Sequence, residues 1–316
     1  MKVTVYENAN QLPPLPEGSF FHSRELMELC ERTPRQKPYM AVITDAEGQV
    51  VAHLLAILQF RRTWLPPLLY THVRIYGDNN CSAQSFGLMM KALTERLQNR
   101  SFYMEVSNLS QKMFGYRELR TLGYFPVRWM SIHNSLHSRT PEERISKRQL
   151  QRIENAIRRG AVTKTVETDA EFKAFSKLLR RHNWLKPRRY IPDDQFFRGL
   201  MEHGRCQIFI TNYHKRTIGC AVCVYSEDDV YLWYSAARRK SFAPLHPNAV
   251  TIWEAILNGH AGHRQHIRFM DVGLPFRKNP YRDFLLRFGG KEVSSYRWFR
   301  ISIRWVNRLA SWLWRE

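Results

Sequence analysis

Acidic residues are scarce in this 316-residue chain: 28 Asp and Glu stand against 49 Lys and Arg, a formal net charge of +21. Such a balance says little about fold and much about partners, which it makes anionic. A nucleic acid such as tRNA, a phosphate-bearing carrier such as coenzyme A and an anionic membrane surface all fit. The excess is spread along the chain, with concentrations at 144–159, 180–189, 238–240 and 297–315. That suits a broad basic face better than one DNA-reading element, and no DNA partner is expected. No run of about 18 apolar residues occurs, so no segment is expected to span a bilayer. The first ten residues are polar and mixed, unlike a signal peptide, which makes the cytoplasm, or the inner face of its membrane, the expected compartment.

Cysteine is sparse and odd in number, five in all, which excludes a paired disulfide framework. Cys220 and Cys223 have redox spacing but fall inside the apolar run 218–225, where a strand turns them to opposite faces. His260, His263 and His266 follow one another without a carboxylate or cysteine at ligand spacing, so no metal is expected. No nucleophile elbow, Walker loop or H-E-x-x-H sequence is present. What is abundant is apolar and aromatic material, 44% and 13% of residues with nine Trp, enough for packed cores. The length favours two domains.

Hydrophobic periodicity gives an α+β (mixed α/β) pattern that runs twice. The first half reads as a helix over 20–35, strands over Tyr39–Thr44 and Val50–Phe60 around the turn Asp45–Gly48, and a strand over Leu68–Tyr76. A helix over Ser85–Gln98, a strand over Ser101–Val106, a helix over Phe114–Leu122 and a strand over Tyr124–Asn134 complete it. The second half reads as a helix over Pro141–Arg159 closed by Gly160, a strand over Val162–Val166, and helices over Asp169–Asn183 and Asp193–His203. A three-stranded meander follows (Cys206–Asn212, Thr217–Ser226, Val230–Ala236), then helix Asn248–Gly259, strand Ile267–Val272, helix Pro280–Phe288 and strand Glu292–Ile303. The predicted domains are 1–138, 139–300 and an amphipathic tail, 301–316.

Chemistry concentrates in the second half. After the strand Tyr231–Ala237 comes a basic turn, Arg238, Arg239, Lys240 and Ser241, and then a helix opening at Asn248. A helix N-terminus presents free N–H groups and partial positive charge, so this turn is a candidate for a donor's phosphates; read by itself, it is equally a solvated basic loop. Arg180–Trp184 and Lys186–Tyr190 make a second basic, aromatic segment. In the tail, Trp305, Leu309, Trp312 and Leu313 share one helical side with Arg304, Arg308 and Arg315 on the flanks. That pattern fits an interfacial helix on an anionic membrane, and also a terminal helix docked on the first domain.

The series Asn248…Trp253-Glu254-Ala255…Asp271-Val272-Gly273…Tyr281…Phe284…Arg287-Phe288-Gly289-Gly290 resembles the second domain of the Fem family of peptidoglycan aminoacyltransferases and the BioF2-like acetyltransferases. The basic helix Pro141–Arg159 resembles their domain-joining helix. The resemblance covers about 139–300 well and 20–135 only in element order. It implies two tandem GNAT-like domains, each a twisted mixed sheet flanked by helices. The first lacks W-E-A and F-G-G and is expected to be non-catalytic. It implies transfer of an acyl or aminoacyl group, from acyl-CoA or aminoacyl-tRNA, to an amine of a cell-envelope precursor or lipid. The alternative is a non-catalytic GNAT-fold protein that binds RNA or sits on a membrane. The resemblance also implies a donor opening between Val230–Ala236 and Ile267–Val272, beside Trp233, with a backbone N–H meeting the acyl carbonyl. Asp271 or Glu254 is the candidate base, Tyr234 or Tyr281 the candidate acid. Trp233, Arg238, Arg239, Lys240, Ser241 and Asn248 are the candidate donor-binding residues.

Overall fold

The computed structural model describes residues 2–60, 71–76, 81–107, 113–184, 190–274 and 279–314, with only the backbone of 271–273. Part of the predicted strand Leu68–Tyr76, the turn at 77–80, positions 186–189, Lys278 and Arg315 therefore lie outside the described residues, as does the Asp271 side chain. Two compact units emerge, Met1–Trp129 with Ser294–Glu316, and Met130–Val293. The division falls at other points than 138/139 and 300/301 because two long strands each change unit midway. These are β6 (Phe125–Ser135) and β12 (Lys291–Ile301).

The first unit has sheet order β1-β2-β3-β4-β5-β12, with β1 (Lys2–Tyr6), β2 (Gln36–Thr44), β3 (Val50–Phe60), β4 (Thr71–Tyr76) and β5 (Tyr103–Ser107). All pairs are antiparallel except β4 with β5. Strand β1 was not expected. Its Lys-Val-Thr-Val-Tyr alternation is too short to stand out in a polar stretch, and it forms by pairing with β2. Helices α1 (Arg24–Arg32), α2 (Ala83–Leu97) and α3 (Tyr116–Thr121) complete the unit with the terminal α10 (Arg304–Leu313). Phe86, Met89, Met90, Leu93 and Leu97 of α2 recur at helical spacing and enter the core beside Tyr124 and Trp298.

The second unit has order β6-β11-β10-β9-β8-β7, built from β7 (Ala161–Thr165), β8 (Cys206–Tyr213), β9 (Arg216–Ser226), β10 (Asp229–Ala237) and β11 (His266–Gly273). Again one pair, β10 with β11, is parallel. The predicted helix Pro141–Arg159 is two helices, α4 (Pro141–Arg144) and α5 (Lys147–Arg158). Ile145 adopts extended backbone, and the Ser146 N–H bonds the Arg287 carbonyl at 2.8 Å instead of continuing a helix. Helix α6 (Asp169–Asn183) starts at a capping box in which the Thr168 hydroxyl and Glu171 carboxylate each accept a backbone N–H. Helix α7 (Asp194–Glu202) is capped by Asp193.

Two of the motifs that carry the resemblance serve packing. Phe288 is buried, and its carbonyl accepts from Asn134 Nδ2 at 2.7 Å. Gly289, at φ +86°, lies where a Cβ would be 2.5 Å from the Arg144 carbonyl oxygen, and a Cβ on Gly290 would be 2.5 Å from Ile132. The F-G-G end of α9 (Pro280–Leu286) thus presses onto the α4–α5 corner and β6. In the W-E-A motif of α8 (Pro247–Ala261), Trp253 and Ala255 are core residues. Cys220 and Cys223 are both buried in β9.

Candidate active site

The parallel pairing of β10 with β11 begins at Asp229 and His266 and ends at Leu232 and Phe269. Asp229 ties the paired end, bonding Arg268 and, at 3.1 Å, His266 Nδ1. Beyond Leu232, β10 continues to Ala237 against β9, after a register shift spanning Trp233. Among the described pairs, residues 233–237 have no β11 partner. In the first unit the described parallel pairs of β4 and β5 run from His72 and Tyr103 to Tyr76 and Ser107.

At the open end of β10 the chain turns through Arg238–His246 into α8. The Arg238 N–H bonds the Ile218 carbonyl at 2.8 Å, which keeps the turn on β9. His246, in the left-handed region at φ 40°, reverses the chain into Pro247 at the first helical position. No side chain caps α8; Pro247 has no N–H, and the N–H groups of Ala249 and Val250 bond the His246 carbonyl at 2.8 and 3.2 Å, so Asn248 is the residue of the first turn that can offer a backbone N–H. Its start is seated by Gly219: a Cβ there would collide with Thr251 Oγ1 and lie 3.0 Å from the Pro247 carbonyl oxygen. Asn248 is 6% exposed and its Nδ2 is buried without a hydrogen-bond partner. A donor so placed costs free energy until a ligand or water accepts from it.

Two cavities, each of about 340 Å³, flank this turn. The first lies among Gln149 and Arg152 of α5, Arg239, His246, Asn248 and Tyr281. The second lies among Arg181 and His182 of α6 and Arg238, Arg239, Lys240 and Ser241. Arg239 lines both, with its guanidinium 5.9 Å from the Tyr281 ring centre. The surroundings are electropositive. Burial, and then the nearby Arg152 and Arg159, hold the His246 imidazole below its ordinary pKa. Tyr281 Oη is 3.4 Å from Ser235 Oγ in the unpaired part of β10.

The predicted donor residues Arg238, Arg239, Lys240, Ser241 and Asn248 are thus together, with Tyr281 beside them. Trp233 and Tyr234 are buried instead, stacked edge-on against Phe196 and Phe197, and the Tyr234 hydroxyl donates to the Tyr190 carbonyl at 3.2 Å. Glu254 is half-buried on α8, about 9 Å along the axis from Asn248, and desolvation raises its pKa. It lines neither cavity among the described residues. The backbone of Asp271 lies in β11. Sequence reasoning missed Gln149, Arg152 and His246. The first two sat in a helix read only for its charge, and the αL turn at His246 has no sequence signal of its own.

Residues 146–278 match the family model described as "Acetyltransferase (GNAT) domain". Among curated proteins no sequence matches the chain. Among solved structures, FemX superposes with TM-score 0.63 at 11% identity, covering 94% of this chain and 95% of that one. The C-terminal domain of a putative lysylphosphatidylglycerol synthetase from Agrobacterium fabrum gives 0.57 at 9%, covering 93% and 91%. A tandem GNAT protein from the clavulanic acid biosynthesis pathway gives 0.56 at 11%, covering 89% and 88%. The chain therefore has the tandem-GNAT fold anticipated from its sequence and carries a GNAT acyltransferase domain over 146–278.

Proposed function

We propose that the second unit transfers an acyl or aminoacyl group from a phosphate-bearing donor to an amine of a cell-envelope precursor or lipid. The observation that carries this is the meeting at Arg239 of two basic cavities, beside the uncapped start of α8 and the open end of β10. Arg181, Arg238, Arg239 and Lys240 take the donor's phosphates, with the α8 N-terminus and Asn248 Nδ2 completing the cradle. The donor's acyl arm then follows the unpaired edge of β10, where a backbone N–H takes the developing oxyanion.

The attacking nitrogen forms the new C–N bond while the C–S bond of a thioester, or the C–O bond of an aminoacyl ester, breaks. Tyr281 supplies the leaving group's proton. Its position by Ser235 favours it over Tyr234, whose hydroxyl proton is engaged by the Tyr190 carbonyl. Asp271 and Glu254 stand as bases for the amine, with the raised pKa of Glu254 suited to accepting a proton. One working site per chain is supported by the lack of W-E-A and F-G-G equivalents in the first half of the sequence. The likeness to a putative lysylphosphatidylglycerol synthetase supports a lipid-borne acceptor, and the +21 charge leaves tRNA as a donor carrier beside acyl-CoA.

Calorimetry with acetyl-CoA and with charged tRNA tests the reading. One of the two binds, and Arg239→Ala with Lys240→Ala weakens it at least about tenfold, the loss expected from two charge-assisted phosphate contacts. Absence of binding by both donors overturns the proposal.

A further inference from the structure

The terminal helix α10 turns two different sides to its surroundings. The side that carries Asn307 and Ser311, with Val306, Ala310 and Trp314, is partly buried. Asn307 Nδ2 donates to the Gly123 carbonyl at 2.9 Å and its Oδ1 accepts from the Ile301 N–H at 2.8 Å. Ser311, on the same side one turn later, accepts from Arg120 at 3.4 Å. The apolar side faces outward: Trp305, Leu309, Trp312 and Leu313 are 69%, 51%, 61% and 64% exposed, and no residue of α10 is buried. A helix that only finished the fold would turn these four side chains onto the core.

The charge beside this face selects its occupant. No acidic residue lies between Glu292 and Glu316, a stretch that holds five Arg. Arg297 and Arg300 are engaged inside the unit, by Glu105 and by the Leu122 carbonyl with Gln98. Arg304 and Arg308 are exposed on one flank of the apolar face. Two Trp and two Leu on one side with Arg along its edge is the arrangement that sits at the headgroup boundary of a bilayer, rings and Leu side chains below and guanidinium groups at phosphate level. A protein partner's apolar groove would satisfy the four side chains but would not call for an acid-free, arginine-edged rim.

We propose that α10 is a membrane-docking surface that lies in the interface of an anionic phospholipid bilayer, held to the enzyme by Asn307 and Ser311. The proposal is independent of the transfer chemistry. It is tested by cosedimentation of the full chain with vesicles of phosphatidylcholine alone and of equal parts phosphatidylcholine and phosphatidylglycerol.

The wild type is expected to partition onto the mixed vesicles, with the tryptophan emission shifting to the blue. Trp305→Ser, Leu309→Ser, Trp312→Ser and Leu313→Ser together leave the charge unchanged and replace only exposed groups, so the circular dichroism spectrum and melting temperature stay close to wild type. Partition should nevertheless fall by more than about tenfold. Arg304→Gln and Arg308→Gln should each lower it about fivefold on mixed vesicles and scarcely on neutral ones. If the four-serine chain binds mixed vesicles as well as the wild type does, the attraction is that of the net charge alone and the proposal falls. It falls equally if the wild type is a dimer by analytical ultracentrifugation, the four-serine chain a monomer, and neither sediments with vesicles.

Discussion

Replacing Gly219 by Ala should damage both the stability of the second unit and its candidate donor site, through one contact. The new Cβ would collide with Thr251 Oγ1 and press on the Pro247 carbonyl at 3.0 Å. Thr251 cannot swing aside freely. It is fully buried, its hydroxyl donates to the Pro247 carbonyl at 2.7 Å, and it also bonds Thr211 Oγ1. Relief therefore requires α8 to move off β9, at about 1–3 kcal/mol for overpacking, or the buried hydroxyl to lose its partners, at about 1–3 kcal/mol. By either route the expected cost is about 1–3 kcal/mol, a sizeable part of a typical domain's stability. Urea unfolding followed by tryptophan fluorescence measures it. Because the start of α8 moves, donor affinity by calorimetry should also weaken, by about tenfold or more. Adding Thr251→Ala removes the colliding atom, so the double variant should recover about 0.5–3 kcal/mol relative to the sum of the single effects. A cost below about 0.5 kcal/mol for Gly219→Ala, or strict additivity in the double variant, would refute the reasoning.

Tyr281→Phe should lower kcat by about 100-fold with little change in KM, since it removes a proton donor and leaves the ring; an unchanged kcat excludes Tyr281 as the acid. Burial, with Arg268 and His266 close by, pushes His133 down to about 4, so the folded chain keeps it neutral where the unfolded chain protonates it near 6.5. Its contribution is complete above about pH 6.5 and is lost as pH falls toward 4, by up to about 3 kcal/mol. His133→Asn should flatten that part of the urea-midpoint profile, and an unflattened profile assigns the slope elsewhere. Burial raises the thiols of Cys30, Cys206, Cys220 and Cys223, Cys220 to about 12, and less strongly that of the half-buried Cys81. An aromatic disulfide reagent at pH 8 should label Cys81 first and the other four only on unfolding; early labelling of Cys220 or Cys223 would show that β9 opens readily.

Local rules wrote much of this fold into the sequence. Helix α6 begins at the Thr168 box and ends at Asn183 because cap, first-turn acids and apolar spacing agree. The three-stranded meander β8–β10 follows from apolar runs separated by turns. The basic turn 238–241 and the helix after it were visible as a candidate phosphate site because helix termini attract anions wherever they occur. Tertiary contacts decided the rest. The α4–α5 break at Ile145 needs the Arg287 carbonyl, more than 140 residues away in sequence, as a partner for Ser146. The F-G-G motif is a close approach of backbones, to which neither periodicity nor charge is sensitive. Gln149 and Arg152 join Arg239 and Tyr281 around one cavity only because α5 and α9 pack near the start of α8. In α10 the amphipathic pattern was legible from the chain, yet it fits a docked helix and a membrane-facing one equally. Which side points outward was settled by the hydrogen bonds of Asn307 and Ser311, whose carbonyl and guanidinium partners come from a distant part of the chain.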